Sequence, residues 1–169
     1  MDVDDFDIES SHLTAEQREA LVEAMGKGII VDQFVQLVML DDDPDGPSFV
    51  AEVTKQYMED AAEHTTKLRT LATEDDPQWK KIDATAHQFK GSSSNMGADK
   101  VTKALVELRQ ATIKESKELC LALVDKVQAA YDEVEPYLKK FEGDGGDGDE
   151  ASADAPAPKT DGADGDTKE

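Results

Sequence analysis

HQFKGSSSNMGA, residues 87–98, lies where the surrounding pattern predicts a helix, yet it holds two glycines, three serines and an asparagine. Relative to alanine, one helical glycine costs roughly 1 kcal/mol and each serine or asparagine roughly half that, so the stretch forfeits on the order of 3 kcal/mol of intrinsic helicity. Either the helix ends early, or small side chains and an open surface are needed at this place. Working upstream, Ile82, Ala86, Phe89, Ser93 and Met96 are spaced by four, three, four and three, which is the apolar stripe of a helix facing a core. At 100° per residue, His87 falls about 140° from the mean direction of that stripe. Its neighbours on the outer face are Asp83, Ala84, Lys90, Gly91 and Ser94. The reading is therefore a mid-helix histidine facing solvent, with a cation at i+3 and no side chain at i+4.

The flanking sequence is punctuated as helices throughout. TAEQ at 14–17 is a capping-box pattern, opening a helix that should stop at the GKG of 26–28. A short helix after Asp32 places Phe34, Leu37 and Val38 on one side. DDDPDGPS at 41–48 breaks the chain, and Ser48 caps a long helix with Val50, Val53, Tyr57, Ala61, Leu68 and Leu71 inward. Asp76-Pro77 is expected to start the helix of His87, with the proline in its first turn. Val101, Leu105 and Leu108 form the next stripe after Gly97. The last helix is expected from about Ser116 to Phe141, with Leu119, Leu123, Val127, Ala130, Val134 and Tyr137 inward and Pro136 kinking it or marking a frayed end. No segment alternates as a strand does. The fold class is all-α, an antiparallel four-helix bundle with two additional N-terminal helices.

Charge narrows the function. The chain carries −21, of which residues 143–169 supply −7 through nine acids and two lysines, leaving −14 on residues 1–142. A body this acidic repels phosphate backbones and anionic bilayers, so neither nucleic acid nor membrane is an expected partner. Residues 143–169 contain no aromatic or large aliphatic side chain and read as a disordered acidic tail; residues 1–13 read as a flexible acidic N-terminus, leaving 14–142 as the helical domain. The single cysteine, Cys120, lies in the apolar run LCLALV and reads as a core or boundary residue in a reducing compartment. That run is far too short for a membrane span, and the acidic N-terminus is unlike a targeting signal. A cytoplasmic protein, with access to the nucleus, is expected.

An exposed imidazole beside an ammonium and cleared space suits the acceptance of a phosphoryl group. Neutral imidazole is nucleophilic near pH 7, and Lys90 can neutralise oxygens on the group transferred. No Gly-rich nucleotide loop and no base–nucleophile triad accompanies it, so the chain reads as a carrier served by its partner rather than an enzyme. At this point AHQFKGSSSNMGADKV (86–101) closely resembles the signature of histidine-containing phosphotransfer proteins, particularly the plant and green-lineage type of cytokinin relays. The likeness extends through GIIVDQFVQL (28–37), PSFVAEV (47–53), WKKIDATAHQ (79–88) and the final helix. The resemblance implies that His87 is the phosphoacceptor, that Lys90 steadies the phosphoryl group and that Gly91 clears the docking site. It sets Gln88 and Ser94 beside them, and Arg109 at a polar or basic position on the neighbouring helix. Leu105 departs from relatives that often carry cysteine, which reads as a packing change. The implied partners are receiver domains of hybrid histidine kinases and response regulators, which bring the Mg²⁺ and the acidic pocket; the carrier is expected to be a monomer without a cofactor or metal of its own.

Rival readings attach to other residues. DDDPDGPSFVAE (41–52) satisfies the EF-hand spacing through Asp41, Asp43, Asp45, Gly46 and Glu52, although Ser48 stands where an aliphatic residue is usual and two prolines stiffen the loop. The alternative is an acidic loop with Ser48 as a helix cap. His64 reads as a structural histidine at the edge of a stripe, His12 carries no signal, Trp79 reads as a packing anchor, and Ser93 is expected to bond back to the preceding turn. A bare scaffolding bundle is the remaining alternative.

Overall fold

A computed structural model describes residues 12–41 and 48–142. The expectations for residues 1–11 and for the tail 143–169 lie outside the described residues, as does most of the acidic loop. Six helices follow in order: α1 (Ala15–Gly26), α2 (Asp32–Met39), α3 (Phe49–Thr73), α4 (Trp79–Asn95), α5 (Asp99–Ile113) and α6 (Lys117–Leu138). The helices α3 to α6 form a closed ring in which each packs on the next and α6 returns to α3. Joined by short turns, they run up and down as an antiparallel four-helix bundle. Helix α1 leans on α6, and α2 leans on α4. Among the described residues there is no strand, only an isolated bridge between Ile30 and Ala98.

Local chemistry explains most boundaries. Thr14 and Gln17 form a complete capping box at the start of α1. Ser48 and Ser116 accept from the backbone N–H groups of Ala51 and Leu119, capping α3 and α6. Gly28 (φ 63°) and Gly97 (φ 65°) end α1 and α4 in left-handed turns. In both, the paired 6→1 and 5→2 bonds close the last carbonyls: Ile29 N–H to Ala24 and Gly28 N–H to Met25, then Ala98 N–H to Ser93 and Gly97 N–H to Ser94.

Three expectations need correction. Helix α4 starts at Trp79, two residues after Pro77, because Gln78 turns (φ −84°, ψ 80°) and Trp79 N–H bonds the Pro77 carbonyl in a tight inverse γ-type turn. In the first half of α6 the buried face runs through Cys120 and Val124, while Leu119 is exposed and Leu123 half-buried. The inward set Cys120, Val124, Val127, Tyr131, Val134 and Leu138 repeats by fours and threes; the uniformly apolar run at 119–124 cannot set its own phase, so the later, sparser apolar residues do. Nor does the chain fray after Pro136: it tightens into a 3₁₀ turn, Lys139–Phe141, whose Phe141 is buried edge-on against Phe34 with centroids 4.9 Å apart.

Candidate functional site

The inner face of α4 matches the stripe read from sequence: Ile82, Ala86, Phe89, Ser93 and Met96 are all buried. This face is fixed by packing from α3. Phe89 stacks under His64 at 5.4 Å, and the Tyr57 and Ser93 hydroxyls share a buried hydrogen bond of 2.9 Å. Ser93 therefore bonds across to α3 and not to its own preceding turn, which corrects the expectation. Ser92 makes that back-bond instead, to the Phe89 carbonyl. Burial pushes the Tyr57 phenol well above its ordinary range, with the Ser93 bond opposing in part and Tyr131 adding to the rise. His64 is half-buried, its Nδ1–H donating to the Asp60 carbonyl at 2.6 Å, as suits a structural histidine. Trp79 is partly buried against the core.

Opposite, His87, Gln88, Gly91 and Ser94 are exposed and Lys90 is half-buried. A Cβ built on Gly91 would meet nothing within 4 Å. Among the described residues, nothing therefore requires a glycine there. Gly97 is the contrast, since its Cβ would lie 2.8 Å from the Val31 carbonyl oxygen and 3.0 Å from the Phe34 nitrogen. The run of poor helix formers thus divides into separate tasks. Ser93 points inward, Gly97 ends the helix and admits α2, and Gly91 opens the surface one turn after His87.

Electrostatically, α4 is the most positive of the six α-helices. It holds three lysines (Lys80, Lys81 and Lys90) against one aspartate, and none of the three makes an ion pair among the described residues. The one aspartate, Asp83, is taken by Arg109 of α5: Nε–H donates to Oδ1 at 2.8 Å, and the terminal nitrogen reaches Oδ2 at 3.4 Å. Arg109 thus reaches the turn of α4 before the histidine through Asp83, and its guanidinium is engaged there. Sequence reading placed Asp83 on this face without a role; its only local signal was its position four residues before His87.

On the α3 side of α4 lies a groove of about 510 Å³ between α2, α3 and α4. Leu37, Val53, Tyr57 and Met96 form its apolar part, with Gln36 and Asn95 among its polar residues. Of the EF-hand positions, Asp41, Ser48 and Glu52 are described. Both carboxylate oxygens of Asp41 serve the start of α3, accepting from the Ser48 hydroxyl and from the N–H groups of Phe49 and Val50. Asp43, Asp45 and Gly46 lie outside the described residues. Among the described residues no cluster of His, Cys, Asp or Glu could hold a metal ion, and no helix is long and apolar enough to cross a membrane.

Comparison with known proteins agrees with this geometry. Residues 52–136 match the Hpt domain family. Histidine-containing phosphotransfer protein 2 of rice (Oryza sativa subsp. japonica) is 36% identical over 107 residues, covering 63% of this chain and 72% of the relative. A solved histidine-containing phosphotransfer protein from rice superposes with a TM-score of 0.70 at 29% identity, over 75% of this chain and 89% of that one. One from maize superposes with 0.70 at 28% identity, over 75% and 91%. An all-α bundle with an exposed histidine on its third-from-last helix, matched by sequence and by fold, leads to one conclusion: the chain belongs to the histidine-containing phosphotransfer family of phosphorelays.

Proposed function

We propose that residues 14–142 form a phosphocarrier whose acceptor is His87. The donor is a phospho-aspartate on the receiver domain of a hybrid sensor kinase, and the next acceptor is the receiver aspartate of a response regulator. In the step, the unprotonated ring nitrogen of His87 attacks phosphorus. A P–N bond forms, the P–O bond to the donor breaks, and its electron pair leaves with the aspartate carboxylate. The other ring nitrogen keeps its proton. Transfer onward is the same displacement run in the opposite sense, with a receiver carboxylate as nucleophile.

The observation that carries this reading is the asymmetry of α4. Its inner face is wholly buried, while His87 stands on the outer face beside a glycine whose Cβ position is empty space. A nucleophile held on a rigid helix and open on all outward sides suits a partner that must bring an acyl phosphate in line. Lys90, one turn along, supplies positive charge to the phosphoryl oxygens. Gln88 and Ser94 offer hydrogen bonds at the rim, and Arg109 on α5 is held by Asp83 one turn before the histidine. Three lysines on α4 suit an acidic receiver pocket even though the whole chain is strongly negative. The carrier needs no metal or cofactor of its own, since the partner's pocket activates the aspartyl phosphate.

The test is incubation with a receiver domain phosphorylated by acetyl phosphate, followed by mapping of the acid-labile label. Label on His87 is expected. Label elsewhere, or none, would overturn the assignment.

A further inference from the structure

Asp83 stands one helical turn before His87 on the outer flank of α4 and holds Arg109 in a fork of two N–H donors. Such a fork is the geometry in which a guanidinium binds a carboxylate most firmly, and it spends two of the five donors of arginine. Both side chains remain partly open, 33% exposed for Arg109 and 40% for Asp83, so the pair borders solvent beside the histidine rather than being sealed in the core. Because α4 and α5 run antiparallel, the bond at Asp83–Arg109 fixes which turn of α5 lies beside the histidine. A phosphoryl group arriving on His87 brings about two negative charges one turn along α4 from the carboxylate that holds this guanidinium, and so offers a competing acceptor for the same donors. The pair is thus positioned to control how much positive charge the phosphohistidine feels.

We propose that Asp83 is a positioning residue of the phosphorylated carrier: it holds the Arg109 guanidinium at a distance and keeps its charge from settling on the phosphoryl group. A carrier must give up what it accepts. A phosphohistidine clamped by a free arginine would be stabilised and would become a poor donor. With Asp83 in place, Lys90 alone meets the phosphoryl oxygens fully, and the group stays ready to leave. The inference rests on the reading of His87 as acceptor, so the site of labelling in the unchanged protein is mapped first; label away from His87 overturns that reading and this one with it.

Given label on His87, the deciding measurement is the equilibrium ratio of phosphocarrier to phosphorylated receiver, for the unchanged protein, Asp83→Asn, Arg109→Gln and the double variant. Asp83→Asn should shift the equilibrium toward phosphohistidine by about fivefold to tenfold, the effect of one partly exposed charge-assisted hydrogen bond. In the Arg109→Gln background the same substitution should have little effect, because Asp83 acts through the guanidinium. Asp83→Glu, which can still reach the fork, should restore the original ratio. A merely structural pair would move the melting temperature and leave the ratio alone. An unchanged ratio in Asp83→Asn overturns the proposal. So does an equal shift with and without Arg109, since that would be the direct repulsion between carboxylate and phosphoryl group. Should Asp83→Asn not fold, the ratio is read from Asp83→Glu and Arg109→Gln: a ratio altered by Glu, with the fork intact in a crystal structure, would equally overturn it.

Discussion

Gly91 and Gly97 lie on the same helix end, six residues apart, and answer to opposite constraints. Gly97 is required by the protein's own backbone: its φ is 65°, and any Cβ would press on Val31 and Phe34 backbone atoms. Gly91 has ordinary helical neighbours and open space where a side chain would go. One glycine builds the fold and the other weakens it. The same division runs along α4, whose inner residues are committed to the core and whose outer residues His87, Lys90 and Gly91 have no partner among the described residues. A helix position that costs stability and has no internal use is a signature of something that binds there.

The largest expected effect falls on the outer face. His87→Gln should abolish phosphoryl acceptance while the melting curve stays within about 0.5 kcal/mol of the original, because the imidazole is exposed and makes no bond within the described residues. Residual acceptance, or unfolding, would break the contrast between faces. Next, Gly91→Gln should slow transfer from a receiver by on the order of a hundredfold, since a side chain one turn from His87 blocks the in-line approach. The same change should raise stability by up to roughly 1 kcal/mol. Stopped-flow or quench measurements of transfer, set beside a thermal melt, read both. A faster or unchanged transfer would leave the glycine without an explanation.

Gly97→Ala should do the reverse. The left-handed backbone costs a β-carbon roughly 1–2 kcal/mol, and the approach to the Val31 carbonyl adds to it, because backbone on a docked helix cannot move aside cheaply. A loss of about 2–3 kcal/mol by denaturant titration is expected, with transfer by the remaining folded molecules unchanged. If Gly97→Ala were neutral, the seat of α2 on the α4–α5 turn would be looser than the 2.8 Å approach requires.

Much of this was legible in the residues, and the exceptions share a cause. Capping by Thr14 and Ser48 and the helix boundaries at GKG (26–28), Gly97 and Ser116 are local devices, decided within four or five residues, and local pattern finds them. The phase of α6 was not local: in LCLALV every residue can be inward, and the choice of Cys120 over Leu119 is made by Tyr131 and Leu138 further along. Burial then pushes the Cys120 thiol pKa upward, in keeping with an inert core residue. The end of α5 was hidden for another reason, because Glu115 takes the left-handed conformation (φ 49°) that sequence reading reserves for glycine or asparagine. At the site, His87, Lys90 and Gly91 share one helix and were visible as a motif. The partners of Ser93 and Arg109 come from other helices, 36 and 26 residues away in the chain, and no periodicity could name them.

The smallest effect expected is on the inner face, and it has a pH dependence of known sign. Tyr57→Phe removes a buried hydroxyl and strands the Ser93 hydroxyl, which should cost about 1–2 kcal/mol near neutral pH. Transfer per folded molecule should not change, since the bond lies beneath α4 and not beside the imidazole. The tyrosines also set the alkaline limit. Burial raises the pKa of Tyr57 well above its ordinary value of 10.0, and burial with the carboxylates of Glu135, Asp132 and Glu142 raises Tyr131 to about 12. Above pH 10 the unfolded chain releases these phenolic protons while the folded chain keeps them, so the unfolded state gains and stability falls as pH rises. The stabilisation is fully present below pH 10 and is lost as the pH climbs toward the folded values. Tyr57→Phe removes one of the two groups, so its stability should fall less steeply between pH 10 and 12 than that of the unchanged protein. The two curves should converge as the pH rises, which urea titrations at pH 7, 10 and 11 would follow. Parallel curves would mean that Tyr57 ionises as readily folded as unfolded, and that the inner face of α4 is open to water in a way its burial denies.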